Sequence, residues 1–176
     1  REGNLFVKYL NNDQVIAITA DGSAGKVLYG MADALYENCF GISKGYQWSP
    51  DGESIAFFRF NENVVQQYPI TVYEGRTYPE IISQRYPKAG AAIPEVQVFI
   101  YSLRNKTLTK VDVGVNPNQY ITGFKWQPDG NNLYVQRLNR PQTQLEILKA
   151  STRTGNTTII FKEENKEYVK VFADNM

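Results

Sequence analysis

Apolar and polar positions alternate with a period of two along most of this chain, the pattern of half-buried strands. Leu5-Phe6-Val7-Lys8-Tyr9-Leu10 followed by Val15-Ile16-Ala17-Ile18-Thr19 predicts a hairpin. Val98-Phe99-Ile100-Tyr101-Ser102-Leu103 followed by Leu108-Thr109-Lys110-Val111 repeats it. Leu145-Glu146-Ile147-Leu148-Lys149-Ala150 with Thr157-Thr158-Ile159-Ile160-Phe161 is a weaker third copy. A second unit repeats between these. Residues 46–61 recur as residues 124–139, with identities at Trp48/Trp126, Pro50/Pro128, Asp51/Asp129, Gly52/Gly130, Arg59/Arg137 and Asn61/Asn139. In Pro-Asp-Gly the proline presets φ at the first corner of a turn, the aspartate caps it, and the glycine takes the left-handed conformation before the return strand. Each copy therefore predicts a hairpin with an aromatic anchor at the end of its first strand.

The two hairpin types alternate, and one of each makes a four-stranded sheet, the blade of a β-propeller. The fold class expected is all-β: a partial β-propeller of about two to three four-stranded blades with a long inserted loop or arm. A β-sandwich would also give short strands and tight turns, but it does not predict repeated Trp-x-Pro-Asp-Gly hairpins. Expected boundaries are a second hairpin of one blade at 1–31, a blade at 46–115 with an insertion at 62–95, a blade at 120–162, and the start of a further blade at 163–176. The insertion is read from the 78-residue offset of Trp126 from Trp48, against roughly 40–50 for a plain blade. Its Val64 to Val72 and Ile81-Ile82 stretches suit edge strands or an extended arm. The start, Arg1-Glu2-Gly3-Asn4, reads as the interior of a longer protein or as a processed product.

Composition narrows the chemistry. The 176 residues hold 19 Lys plus Arg against 18 Asp plus Glu, a net charge of +1, with one cysteine and no histidine. Near-neutral charge argues against nucleic acid or an anionic membrane as the main partner. No stretch has the length of apolar sequence that spans a bilayer. Without histidine the chain alone builds neither a Ser-His-Asp nor a Cys-His arrangement, and with Cys39 as its single thiol it lacks the common zinc ligand sets. No metal or cofactor is expected. Asp51 and Asp129 read as turn residues, Trp48 and Trp126 as inter-blade core, Arg59 and Arg137 as structural, and Glu163-Glu164 as a solvated face or short helix end. Asn105-Lys106-Thr107 and Asn156-Thr157-Thr158 match the glycosylation acceptor, a short motif that arises readily by chance.

Several segments in order carry a resemblance. Trp48-Ser49-Pro50-Asp51-Gly52 runs into Phe57-Phe58-Arg59-Phe60-Asn61-Glu62, and Tyr86-Pro87-Lys88-Ala89-Gly90 precedes the strand at 96–101. Together they resemble the N-terminal propeller of dipeptidyl peptidase IV-like enzymes of the prolyl oligopeptidase family. Phe40-Gly41-Ile42-Ser43-Lys44-Gly45, Leu133-Tyr134-Val135 and Leu138-Asn139-Arg140 look closest to the prolyl tripeptidyl peptidase branch of Bacteroidetes-type bacteria. The resemblance implies a serine exopeptidase, periplasmic or extracellular, whose Ser, Asp and His sit on an α/β-hydrolase domain of the same parent chain. This chain has no Gly-x-Ser-x-Gly elbow and is non-catalytic alone.

The resemblance also implies a role for the excursion at 32–40. In the family a short helix there carries glutamate that holds the amino terminus of the peptide substrate, because an ammonium entering a confined cavity must be paired. Glu37, Asn38 and Cys39 are the residues at that position. Asn38-Cys39 stand where the relatives keep glutamates, so Glu37 alone retains the charge unless the hydrolase domain supplies one. A reading from a different class is a non-enzymatic propeller that binds protein through the 62–95 insertion. Uncovered sheet faces also imply self-association of the chain.

Overall fold

The computed structural model describes residues 1–171. The elements in chain order are β1 (Phe6–Lys8), β2 (Val15–Ala17), β3 (Val27–Tyr29), α1 (Ala34–Phe40), β4 (Tyr46–Trp48), β5 (Ser54–Asn61), β6 (Gln67–Val72) and β7 (Glu80–Arg85), followed by β8 (Glu95–Ser102), β9 (Thr107–Lys110), β10 (Gln119–Trp126), β11 (Asn132–Asn139), β12 (Gln144–Ser151) and β13 (Thr157–Glu164). All strand pairings are antiparallel. β10-β11-β12-β13 form one four-stranded sheet, and β5-β8-β9 with β3 and β4 form the other. β1-β2 and β6-β7 are separate two-stranded hairpins. The chain is a partial β-propeller: two blades and a preceding hairpin.

The Pro-Asp-Gly turns behave as their chemistry dictates. Gly52 and Gly130 both hold φ at 72°, and their N–H groups donate to the carbonyls of Ser49 and Gln127, each at 2.9 Å. Asp51 accepts from the N–H of Glu53 at 3.0 Å and Asp129 from that of Asn131 at 2.9 Å. The Ser49 hydroxyl and then the Glu53 N–H hold the Asp51 carboxyl below the usual carboxylate range, and the Asn131 N–H holds that of Asp129 below it. They are turn residues.

Strand alternation then sorts side chains between two interfaces. From β5, Ala56, Phe58 and Phe60 face the second blade, where they join Val96, Val98 and Ile100 of β8 and Leu133, Val135, Leu148 and Ala150 of β11 and β12 in one core. The opposite positions, Ile55 and Phe57, pack with Val27 and Tyr29 and are flanked by Leu5 and Ile18 beside the β1-β2 hairpin. The repeat carries a charged position as well. Arg59 donates from Nε to the Tyr29 hydroxyl at 3.0 Å. Arg137 grips Glu146 at 2.6 and 2.8 Å and donates to the Val113 carbonyl of the first blade at 3.0 Å.

Some sequence expectations are corrected. The first blade does not start at residue 46, because β3 pairs with β5 from Val27↔Asn61 to Tyr29↔Arg59 and belongs to its sheet. Glu163 and Glu164 are the solvated face expected, on a strand rather than at a helix end or the start of a new element: they close β13, paired with Leu145 and Gln144. The start of a further blade expected at 163–176 is not represented by a strand in residues 165–171, where Val169 packs on Leu138 and Leu145, and residues 172–176 lie outside the described residues. Trp126 is inter-blade core at 8% exposure, with its Nε1 donating to the Gln47 carbonyl at 3.2 Å. Trp48 is not, at 44% exposure. Trp126 covers the inner strand β4 of the first blade, whereas the β1-β2 hairpin beside the first blade packs on Tyr29 and Phe57 and leaves Trp48 uncovered by the described residues.

Candidate functional site

Comparing the repeats residue by residue locates the site. In the second blade, β10 runs unbroken along β11 apart from a bulge between Ile121 and Gly123. In the first blade the same edge of β5 is shared by two strands end to end: β3 pairs with residues 59–61 and β4 with residues 55–57. Where the second blade has one bulged residue, the first extrudes a whole excursion. Its neck is built from two glycines. Gly30 donates to the Phe58 carbonyl at 3.0 Å, Phe58 donates to the Gly45 carbonyl at 2.9 Å, and Gly45 donates across to Gly30 at 3.2 Å. A side chain on Gly45 would meet the Met31 nitrogen at 2.8 Å and the Gly30 carbonyl carbon at 2.9 Å, so only glycine lets the two sides of the neck close.

The excursion carries α1. Asp33 caps its first turn, accepting the Tyr36 N–H at 3.0 Å from an extended backbone. Gly41 ends it in the left-handed conformation at φ 68°, its N–H returned to the Tyr36 carbonyl. Tyr36 is fully buried against Phe40, Phe60 and Tyr120. Its hydroxyl accepts the Ile121 N–H of the second blade at 3.1 Å, and burial pushes its pKa up. With that ring fixed inward, the opposite face of the helix turns outward, and Glu37, Asn38 and Cys39 are all exposed.

The structure separates these expected site residues. Glu37 lines a cleft of about 520 Å³ between the first turn of α1 and the β6-β7 arm. Asn38 and Cys39 are exposed beside it but do not line it. The Asn38 side-chain amide donates to the Ala34 carbonyl at 2.7 Å, leaving its oxygen as an uncharged acceptor. Cys39 is a free thiol.

The cleft contains residues that the sequence reading did not single out as site residues. Asp33 and Glu62 line it, both buried, with Lys26 and Arg85 at its sides. Burial raises the Asp33 pKa against the opposing pull of the N–H groups of Tyr36 and Leu35. Burial also raises that of Glu62, the Asp33 charge adds to it, and Arg85 works against it. Arg85 ties down the base of the arm, donating from Nε to the Gly25 carbonyl at 2.6 Å and from Nη1 to the carbonyls of Asn63 and Val65. Nothing local in the sequence marks Glu62: it follows a paired strand at the start of the insertion, and its burial comes from β6-β7 folding back beside α1. Among the described residues no group of three or more His, Cys, Asp or Glu is disposed to hold a metal ion. No helix among them is long and apolar enough to cross a membrane.

The family model described as dipeptidyl peptidase IV N-terminal region matches residues 1–175. The chain belongs to the dipeptidyl peptidase IV N-terminal region family. A probable dipeptidyl-aminopeptidase B of the fungus Phaeosphaeria nodorum is 31% identical over 94% of this chain and 20% of its own length. One from Ajellomyces capsulatus is 34% identical over 93% of this chain and 19% of its own. Among solved structures, Porphyromonas gingivalis dipeptidyl peptidase 4 superposes with a TM-score of 0.89 at 30% identity, covering 96% of this chain and 24% of that one. A putative dipeptidyl aminopeptidase IV from Bacteroides ovatus gives a TM-score of 0.78 at 27% identity, over 96% and 25%. The chain thus spans about a fifth of the length of the curated relatives it matches. These relatives come from fungi as well as bacteria, so membership of the family does not carry a bacterial source with it.

Proposed function

We propose that this chain is the propeller portion of a dipeptidyl peptidase-like serine exopeptidase, walling its catalytic chamber and presenting α1 to the amino terminus of a peptide substrate. Catalysis in this reading is acyl transfer by a Ser-His-Asp set on an α/β-hydrolase domain of the same parent chain. The parent works outside the cytoplasm, in a periplasm or extracellular space. The observation that carries the reading is α1 itself, extruded through a glycine neck, locked by buried Tyr36, and holding the Glu37 carboxylate at the mouth of an acid-lined cleft. An exposed charge on a rigid mount suits recognition of an ammonium better than it suits stability.

The test uses the full-length parent with Xaa-Pro substrates bearing free or acetylated amino termini. Free-amine substrates are expected to be strongly preferred. Glu37→Gln should raise their KM by about tenfold, the worth of one charge-assisted bond. Equal turnover of both substrate types removes the amino-terminus role.

A second reading, a contact surface for protein on the arm, is favoured by one observation. The hairpin β6-β7 stands off both blades and exposes Tyr68, Tyr73, Tyr78, Ile81 and Ile82. Self-association of the chain, read by light scattering, belongs to this reading.

A further inference from the structure

A groove of about 340 Å³ follows the seam between the inner strands of the two blades. Its floor is Phe58 of β5 and Phe124 of β10, both buried and packed edge to face with ring centroids 4.6 Å apart. Two cations line it, Lys44 from the first blade and Lys125 from the second, together with the neutral donors Ser43 and Gln47. Among the described residues no Asp or Glu lines it. The chain as a whole balances 19 basic side chains against 18 acidic ones, so the groove departs from that balance. Both lysines stand on ordered backbone. Lys44 is bridged to Met31 at the glycine neck, and its Nζ lies 4.8 Å from the centre of the Tyr46 ring. Lys125 is paired with Tyr134 inside the second blade. Like charges brought to one groove repel each other, and an anion bound there relieves the repulsion.

We infer that this groove binds a carboxylate carried on an apolar or aromatic body, from the C-terminal residue or an acidic side chain of a peptide. The ammonium groups supply charge-assisted bonds to the carboxylate, and the ring floor takes the hydrocarbon beside it. A bare anion uses the first of these features and wastes the second. The volume admits one or two side chains. The groove begins at Gly41, past the C-terminal end of α1, whereas Glu37 lines the cleft at the first turn of that helix. Carboxylate binding there is therefore separate from the amino-terminus role. The first strands of propeller blades line the central channel, so a peptide moving along that channel meets this groove.

Calorimetry on the full 176-residue chain tests this with three peptides: N-acetyl-Ala-Phe as the free acid, the same peptide as its amide, and N-acetyl-Glu-Phe amide. At least one acidic peptide should bind about tenfold more tightly than the uncharged amide, the worth of one charge-assisted bond. Tighter binding of the free acid assigns the groove to C-terminal carboxylates, and tighter binding of the glutamyl peptide assigns it to acidic side chains. Lys44→Met should weaken the complex about tenfold, while Lys44→Arg should retain it. Lys162→Met, which removes the same charge from the outer strand β13, should leave it unchanged. Salt at about 1 M, where charges are screened within ~3 Å, should weaken it as well. Equal binding of all three peptides, binding of none, or equal losses in Lys44→Met and Lys162→Met overturns the inference. Competition by inorganic phosphate as strong as that of the peptides overturns it too, by making this a site for bare anions. The acetylated probes present no amine to Glu37, so their failure to bind leaves the proposed function standing.

Discussion

Tyr36 shows how one polar atom positions the site. Its ring has no exposed surface, and its hydroxyl accepts the N–H of Ile121, 85 residues further on. That N–H lies beside the bulge of β10, inside the inter-blade core. Tyr36→Phe would keep the packing and leave a buried donor without an acceptor, an expected loss of about 1–3 kcal/mol, measured by urea denaturation. Because the bond pins α1 to the neighbouring blade, amide exchange should speed up across residues 34–40 in the same variant. The sequence gives no hint of this contact or of buried Glu62. Both depend on chain segments meeting across the fold, and a tyrosine in an amphipathic stretch reads only as core. Glu37, by contrast, was named through the family resemblance, and it stands exposed on the outward face of α1.

At the scale of elements, legibility follows locality. The Pro-Asp-Gly hairpins were readable because Pro, Asp and Gly each act within a few residues, and the structure returns the expected turn bonds at both copies. The short helix was expected through the family resemblance rather than from a local signal, as an excursion at 32–40, and it runs from Ala34 to Phe40 with Asp33 as its cap. The insertion, for which edge strands, a loop and an arm were all open, is a hairpin arm paired from Gln67↔Arg85 to Val72↔Glu80. What escaped was the splitting of one inner strand into β3 and β4, since the decisive residues, Gly30 and Gly45, lie on opposite sides of the excursion. Their importance appears only when the neck closes. Gly45→Ala would drive a methyl against backbone at Met31 and Gly30, atoms that cannot rotate away. The expected cost is about 1–3 kcal/mol, seen as a lower melting temperature. Gly41→Ala is the comparison that isolates the neck: its added methyl meets nothing within 4 Å, so strain at positive φ is its main penalty.

Across the whole molecule, the two tryptophans of the repeat measure how propeller stability is built. Each blade hides one face against its neighbour, so identical residues at identical register acquire different energies according to what precedes them. Trp126 sits against the first blade with its indole N–H bonded to Gln47, while Trp48 is uncovered by the described residues at 44% exposure. Trp126→Ala should therefore cost about 3–5 kcal/mol, the range for emptying a buried aromatic site. Trp48→Ala in the same chain should cost well under half of that, since much of its surface already meets water. Parallel denaturant titrations of the two variants give the comparison directly, with matched slopes confirming that neither changes the cooperative unit. Equal losses would mean that Trp48 is held by contacts within its own sheet and that coverage by a preceding blade is not what distinguishes the two. A small loss at Trp48 that grows when the first blade is preceded by a complete four-stranded neighbour would instead attribute the difference to blade stacking. The same logic applies to the arm and the cleft, because a surface that a neighbour covers contributes to stability, whereas one that stays open is available for binding.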